Sequence, residues 1–130
     1  MFLCIKTDSS EAEILVINDN QSVVAQRKWQ SDRELSNQLL QVITDICEEA
    51  NTRLSKISGI IVYQGPGSYT GLRISMSTAN AIAYSENLPI VGSTDEDWIE
   101  NGLIDIELIK NFKPISPNYG GEVYTTKPKK

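Results

Sequence analysis

The apolar run Ile57, Ile60, Ile61, Val62 and Tyr63 passes at once into Gln64-Gly65-Pro66-Gly67-Ser68-Tyr69-Thr70-Gly71, and the following Leu72-Arg73-Ile74-Ser75-Met76-Ser77-Thr78-Ala79-Asn80-Ala81-Ile82-Ala83-Tyr84 is rich in helix formers and small residues. A near-continuous β-branched run this short reads as a buried strand. The chain therefore runs from strand through a glycine-rich turn straight into a helix, an α/β arrangement. Two chemistries fit such a turn. A helix N-terminus offers unpaired N–H groups and a positive dipole end, which suit a phosphate. Alternatively, the glycines only let the backbone turn sharply while Ser68 or Thr70 caps the helix. No Gly-Lys-Ser/Thr follows, so this is not a P-loop, and the third glycine of the dinucleotide fingerprint would fall at Thr70.

The elements around this unit extend the pattern. Phe2-Leu3-Cys4-Ile5-Lys6-Thr7 and Glu13-Ile14-Leu15-Val16-Ile17-Asn18 read as strands separated by the turn residues Asp8-Ser9-Ser10-Glu11. Past the polar Asp19-Asn20-Gln21-Ser22, Val23-Val24-Ala25-Gln26-Arg27-Lys28-Trp29 completes an antiparallel meander. Ser31 and Glu34 have capping-box spacing and open a helix in which Leu35, Leu39, Val42, Ile43, Ile46, Cys47 and Ala50 recur along one side, with Leu40 off that stripe. Leu88-Pro89-Ile90-Val91-Gly92-Ser93 is a fifth strand with proline where no ladder donor is needed. The predicted fold is a mixed five-stranded sheet with helices packed on it. From Thr94 an acid-rich start leads a helix to about Gly102. Leu103, Ile104, Ile106, Leu108 and Ile109 make a further short helix or strand, ended by Pro114 and Pro117. The organisation expected is a half-domain over residues 1–94, then a short helical segment and tail over 95–130.

At 130 residues the chain suits one domain with a proper core, and its net charge of −5 argues against autonomous, non-specific nucleic-acid binding. Lys127, Lys129 and Lys130 form a small basic tail, read as a solvated end or as a weak contact with RNA phosphate. Cys4 and Cys47 read as buried small hydrophobes in a reducing compartment. The sequence contains 0 histidines, which excludes a His-based triad and a mixed-ligand zinc site. No catalytic residue, metal ligand or cofactor is assigned. No segment is apolar enough to span a membrane and the first residues lack a signal layout, so the expected location is cytoplasmic.

The ten residues Gly65-Pro66-Gly67-Ser68-Tyr69-Thr70-Gly71-Leu72-Arg73-Ile74 resemble the signature of the TsaB (YeaZ) family, the non-catalytic dimerisation subunit of the bacterial tRNA threonylcarbamoyladenosine machinery. The similarity runs from residue 1 to about 94 and thins afterwards. The resemblance implies a single actin-like (ribonuclease-H-like, ASKHA) half-domain, in a minimal form without the second lobe of full-length members. Nucleotide sites of that superfamily lie between two lobes, and one half alone does not enclose ATP. Members carry Asp-Thr-Ser near the end of the first strand. Here Lys6-Thr7-Asp8 stands in its place, and Asp8 reads as a turn residue.

The resemblance also implies partners. Family members pair the two helices of this domain with those of a TsaD-like catalytic subunit, with a TsaE-like ATPase in a larger complex and tRNA engaged only through the assembly. Gly71, Ser75, Ala79 and Ala83 form a ridge of small residues that lets another helix approach closely, either inside the chain or from a partner. Together with Leu35, Leu39 and Val42 they form the expected partner interface, which a homodimer would share. On that basis Ala79→Trp is expected to disrupt partner binding more than folding. Gly65, Pro66, Gly67, Ser68, Tyr69, Thr70, Gly71 and Arg73 form a motif turn that is either structural or phosphate-binding. The competing function is a nucleotide-binding protein or small ATPase using residues 65–71, with Arg73 neutralising phosphate and Asp8 holding a metal. Otherwise Arg73 pairs locally with Asp8 or Glu86, and Tyr69 either packs in the core or lies exposed at the turn.

Overall fold

The computed structural model describes residues 1–31, 34–109, 112, 114 and 115. Five strands, β1 (Phe2–Lys6), β2 (Glu11–Ile17), β3 (Val23–Gln30), β4 (Gly59–Gly65) and β5 (Ile90–Thr94), form one sheet in the order β3-β2-β1-β4-β5. The helices are α1 (Leu35–Glu49), α2 (Tyr69–Glu86) and α3 (Trp98–Ile106), with a single 3-10 turn at Leu54–Lys56. β1, β2 and β3 pair antiparallel, as the short polar turns between them require. β4 joins β1 in parallel and β5 joins β4 in parallel, each after a helical crossover. This is the mixed α/β sheet expected.

Alternation along the strands divides the core in two. Leu3, Ile5, Ile14, Val16, Ile60 and Val62 join α1 and α2 on one face. Cys4, Leu15, Ile17, Ile61 and Tyr63 join Trp98, Leu103 and Ile106 of α3 on the other. β1 is therefore apolar at every central position, because both of its faces are covered. On α1 the buried stripe is Leu35, Leu39, Ile43, Ile46 and Cys47. Each fully buried Leu or Ile contributes about 1.5–3 kcal/mol. Trp29 of β3 donates its indole N–H to Gln38 Oε1 of α1 at 2.9 Å, tying the meander to that helix.

Two expectations are corrected. Ser31 does not cap α1, which begins at Leu35 with Glu34 in the cap position and no side-chain cap bond. Ser31 is buried, and its N–H and hydroxyl both donate to the Ser10 carbonyl, at 2.8 and 3.1 Å, fastening the end of β3 to the β1–β2 turn. Gly102 does not end a helix either, since α3 runs on through it to Ile106. A Cβ there would stand 2.4 Å from Ile61 Cγ2, so the glycine serves the close approach of α3 to β4.

Beyond α3, Phe112 meets Tyr84 edge-to-face at 5.7 Å between ring centroids. Asn80 holds both main-chain groups of Ile115: its Nδ2 donates to the carbonyl at 2.9 Å, and its Oδ1 accepts the N–H at 3.0 Å. Pro117, the stretch 117–124 and the basic tail lie outside the described residues, as do Asp32 and Arg33.

Candidate functional site

The glycine-rich turn is closed by the end of β1. Ser68 caps α2, its Oγ accepting the Gly71 N–H at 3.5 Å, while Thr70 lies exposed. The Ser68 N–H donates to the Asp8 carbonyl at 2.8 Å, and the Thr7 hydroxyl donates to the Gly71 carbonyl at 2.8 Å. Tyr63 donates its hydroxyl to the Pro66 carbonyl at 2.8 Å, across a Gly65–Pro66 peptide bond that is cis. A Cβ at Gly67 would meet Asp8 Cβ at 2.5 Å, and one at Gly71 would meet the Thr7 carbonyl oxygen at 2.2 Å. The glycines thus admit the close approach of the end of β1 to the turn, and the Ser68 and Gly71 N–H groups are already engaged.

Charges of both signs stand near Tyr63, the Lys6 ammonium lying 4.7 Å over its ring. Burial first, then the Asp8 and Asp95 carboxylates, pushes the Tyr63 phenol above its ordinary value of 10.0. Arg73 does not bring positive charge to the turn's amides. It lies exposed on α2, stacks over the Tyr69 ring at 5.4 Å and donates from Nη1 to the Tyr69 hydroxyl at 3.3 Å. Its partner is thus Tyr69, one helical turn back, rather than Asp8 or Glu86. Among the described residues, no group of three His, Cys, Asp or Glu side chains is placed to hold a metal. No helix there is long and apolar enough to cross a membrane.

The residues picked out as a partner interface mostly face inward. Leu35, Leu39, Gly71, Ser75, Ala79 and Ala83 are buried within the chain, and Val42 is half-buried. The small-residue ridge is used to bring α2 down onto the sheet and beside α1, which corrects its reading as an outward surface. The outward face carries other side chains. Leu40 is 53% exposed and Tyr69 55% exposed, and Tyr69 borders a groove of about 340 Å³ lined by residues that include Ser36, Arg73, Ile74 and Ser77. The signal for Leu40 was its displacement from the apolar stripe of α1. A second cleft of about 420 Å³, whose lining includes Ser9, Ser10, Ser31, Ser36, Ser68 and Thr70, separates the β1–β2 turn from the starts of α1 and α2.

Residues 23–99, more than half of the chain, match the family described as TsaD, tRNA N6-adenosine threonylcarbamoyltransferase. The chain belongs to the TsaB (YeaZ)–TsaD family. Similar members include both named types. The tRNA threonylcarbamoyladenosine biosynthesis protein TsaB of Escherichia coli (strain K12) is 35% identical over 60 residues, covering 46% of this chain and 26% of that protein. TsaB of Bacillus subtilis (strain 168) is 41% identical over 80 residues, covering 61% of this chain and 32% of that protein. The tRNA N6-adenosine threonylcarbamoyltransferase of Geotalea daltonii is 38% identical over 72 residues, covering 55% of this chain and 20% of that protein. This TsaB-like chain therefore matches well under half the length of these curated relatives. YeaZ from Pseudomonas aeruginosa superposes with a TM-score of 0.66 at 22% identity, over 72% of this chain and 43% of that one, which bears out the actin-like fold.

Proposed function

We propose that this chain is a non-catalytic binding subunit in tRNA threonylcarbamoyladenosine biosynthesis. It acts in the cytoplasm, docks on a TsaD-like threonylcarbamoyltransferase through the outer faces of α1 and α2, and supports modification of the adenosine beside the anticodon. The observation that carries this reading is the packing of the turn's glycines against the end of β1. With Thr7 and Asp8 seated on Gly71 and Gly67, the packing supports a signature that shapes the start of α2. The docking surface is the exposed flank around Leu40, Tyr69 and Arg73, not the buried ridge. A TsaE-like ATPase would join through the larger assembly, and a homodimer would compete for the same flank.

Size exclusion with light scattering tests this, using the chain alone and mixed with the TsaD-like protein of the same organism. A one-to-one complex that Leu40→Asp weakens supports the reading. Two separate peaks, unchanged by ATP and the TsaE-like protein, overturn it.

A further inference from the structure

A third cavity, of about 330 Å³, opens where the C-terminal end of β5 meets one flank of α3. Its lining includes Ser93 and Thr94 of β5 and Asn101, Ile104 and Asp105 of α3. Ser93 pairs with Tyr63 in the ladder and so shares its α3-facing side of the sheet. Ser93 is only 6% exposed, and among the described residues its hydroxyl has no hydrogen-bond partner. A hydroxyl buried without a partner is costly, so its place in the lining points to a polar group that enters the cavity.

The surroundings set the sign of that group. From residue 74 to residue 109 the sequence holds no Lys or Arg. Asp95, Glu96, Asp97, Glu100, Asp105 and Glu107 all lie exposed in the same stretch. The Lys6 ammonium stands over the Tyr63 ring and is not among the described lining residues. We propose that the cavity receives the guanidinium of an arginine presented by a partner protein, with Asp105 as its counter-charge. Hydroxyl, amide and carboxylate oxygens in the lining all accept hydrogen bonds, and a guanidinium offers five donors and no acceptor. Ile104 and Leu108 are exposed on the flank that Asp105 shares, and they give the residue beside that arginine an apolar contact. The same charges repel nucleic acid, so the partner is a protein with a basic, partly apolar segment. α3 packs on the opposite face of the sheet from α1 and α2, so the inference does not rest on the docking flank proposed above.

Backbone amide shifts of the full, isotope-enriched chain test this, in parallel titrations with acetyl-Leu-Arg-amide and acetyl-Leu-Gln-amide. The expected result is saturable shifts at Ser93, Thr94, Asn101 and Asp105 with the arginine peptide alone. Asp105→Asn weakens that binding about tenfold and Ser93→Ala weakens it less, since a charged hydrogen bond is worth more than a neutral one. Equal shifts with both peptides, shifts that do not saturate, or an affinity unchanged in Asp105→Asn overturns the inference. Shifts at the same four amides in a full chain carrying Lys127→Gln, Lys129→Gln and Lys130→Gln, with no peptide added, overturn it too. That outcome assigns the cavity to the chain's own lysines. A dispersed amide spectrum in each variant establishes that the fold is retained.

Discussion

Thr7 donates its hydroxyl to the carbonyl of Gly71 at 2.8 Å in a site closed to solvent, joining the end of β1 to the first turn of α2 across 64 residues of chain. Removing the hydroxyl with Thr7→Val costs about 1 kcal/mol, the usual net worth of such a bond. Gly71→Ala costs more, about 2–3 kcal/mol, because the new methyl must displace backbone instead of a pliable side chain. Urea denaturation of the two variants gives the order directly. A neutral Gly71→Ala would remove the close approach as the reason for glycine there.

Ala79→Trp abolishes the cooperative melt instead of leaving a folded protein that cannot bind. Ala79 is fully buried in the layer between α2 and the sheet, and no indole fits there without separating them. Leu40→Asp, at a site 53% exposed, keeps the melting temperature within a few degrees and weakens the TsaD-like complex by about tenfold. Circular dichroism melts, together with titration of the complex, separate the two cases. A folded Ala79→Trp protein would reinstate the ridge as an outward surface.

Stability falls as the pH rises above about 9. Burial, and then the Glu13 carboxylate, pushes the Cys4 thiol from 9.0 up to about 12. The unfolded thiol releases its proton first, the folded state then holds more protons, and each further pH unit costs up to about 1.4 kcal/mol. The loss starts at the unfolded value and continues up to the folded one. Cys47, raised by its own burial, acts in the same direction, and Tyr63 adds to the decline above 10.0. Urea midpoints measured from neutral pH upward read this slope. Cys4→Ala flattens the slope, although the variant is less stable at neutral pH. An unchanged slope would show that Cys4 is not its source.

Magnesium-ATP does not bind saturably at residues 65–71, and Arg73→Ala changes stability by no more than about 1 kcal/mol, the worth of an exposed stack on Tyr69. Isothermal calorimetry of the chain with nucleotide measures the first, and thermal melts the second. Saturable binding lost in Arg73→Ala would restore the nucleotide reading.

Period and turn chemistry made the sheet legible. The apolar runs of β2 and β4 and the polar turns between strands each point to one element type, and local and long-range preferences agree. The outward face of the helices was not legible, because a small residue at every fourth position looks the same whether the close neighbour is a sheet or a partner. Ala79 and Ser75 became distinguishable only once their burial was known. Ser31 misled for a related reason. Its spacing to Glu34 suits a cap, yet a carbonyl 21 positions away in sequence claims its hydroxyl. Gly102 looked like a helix stop because its true neighbour, Ile61, is remote in the chain.

The hold of Asn80 on Ile115 also bears on how this chain can diverge. A side chain that grips peptide groups places no demand on the residue it grips. Substitutions at position 115 can therefore accumulate with little effect on the anchorage, whereas a single change at position 80 releases it. Among descendants of this sequence, the asparagine should outlast the residues it fastens.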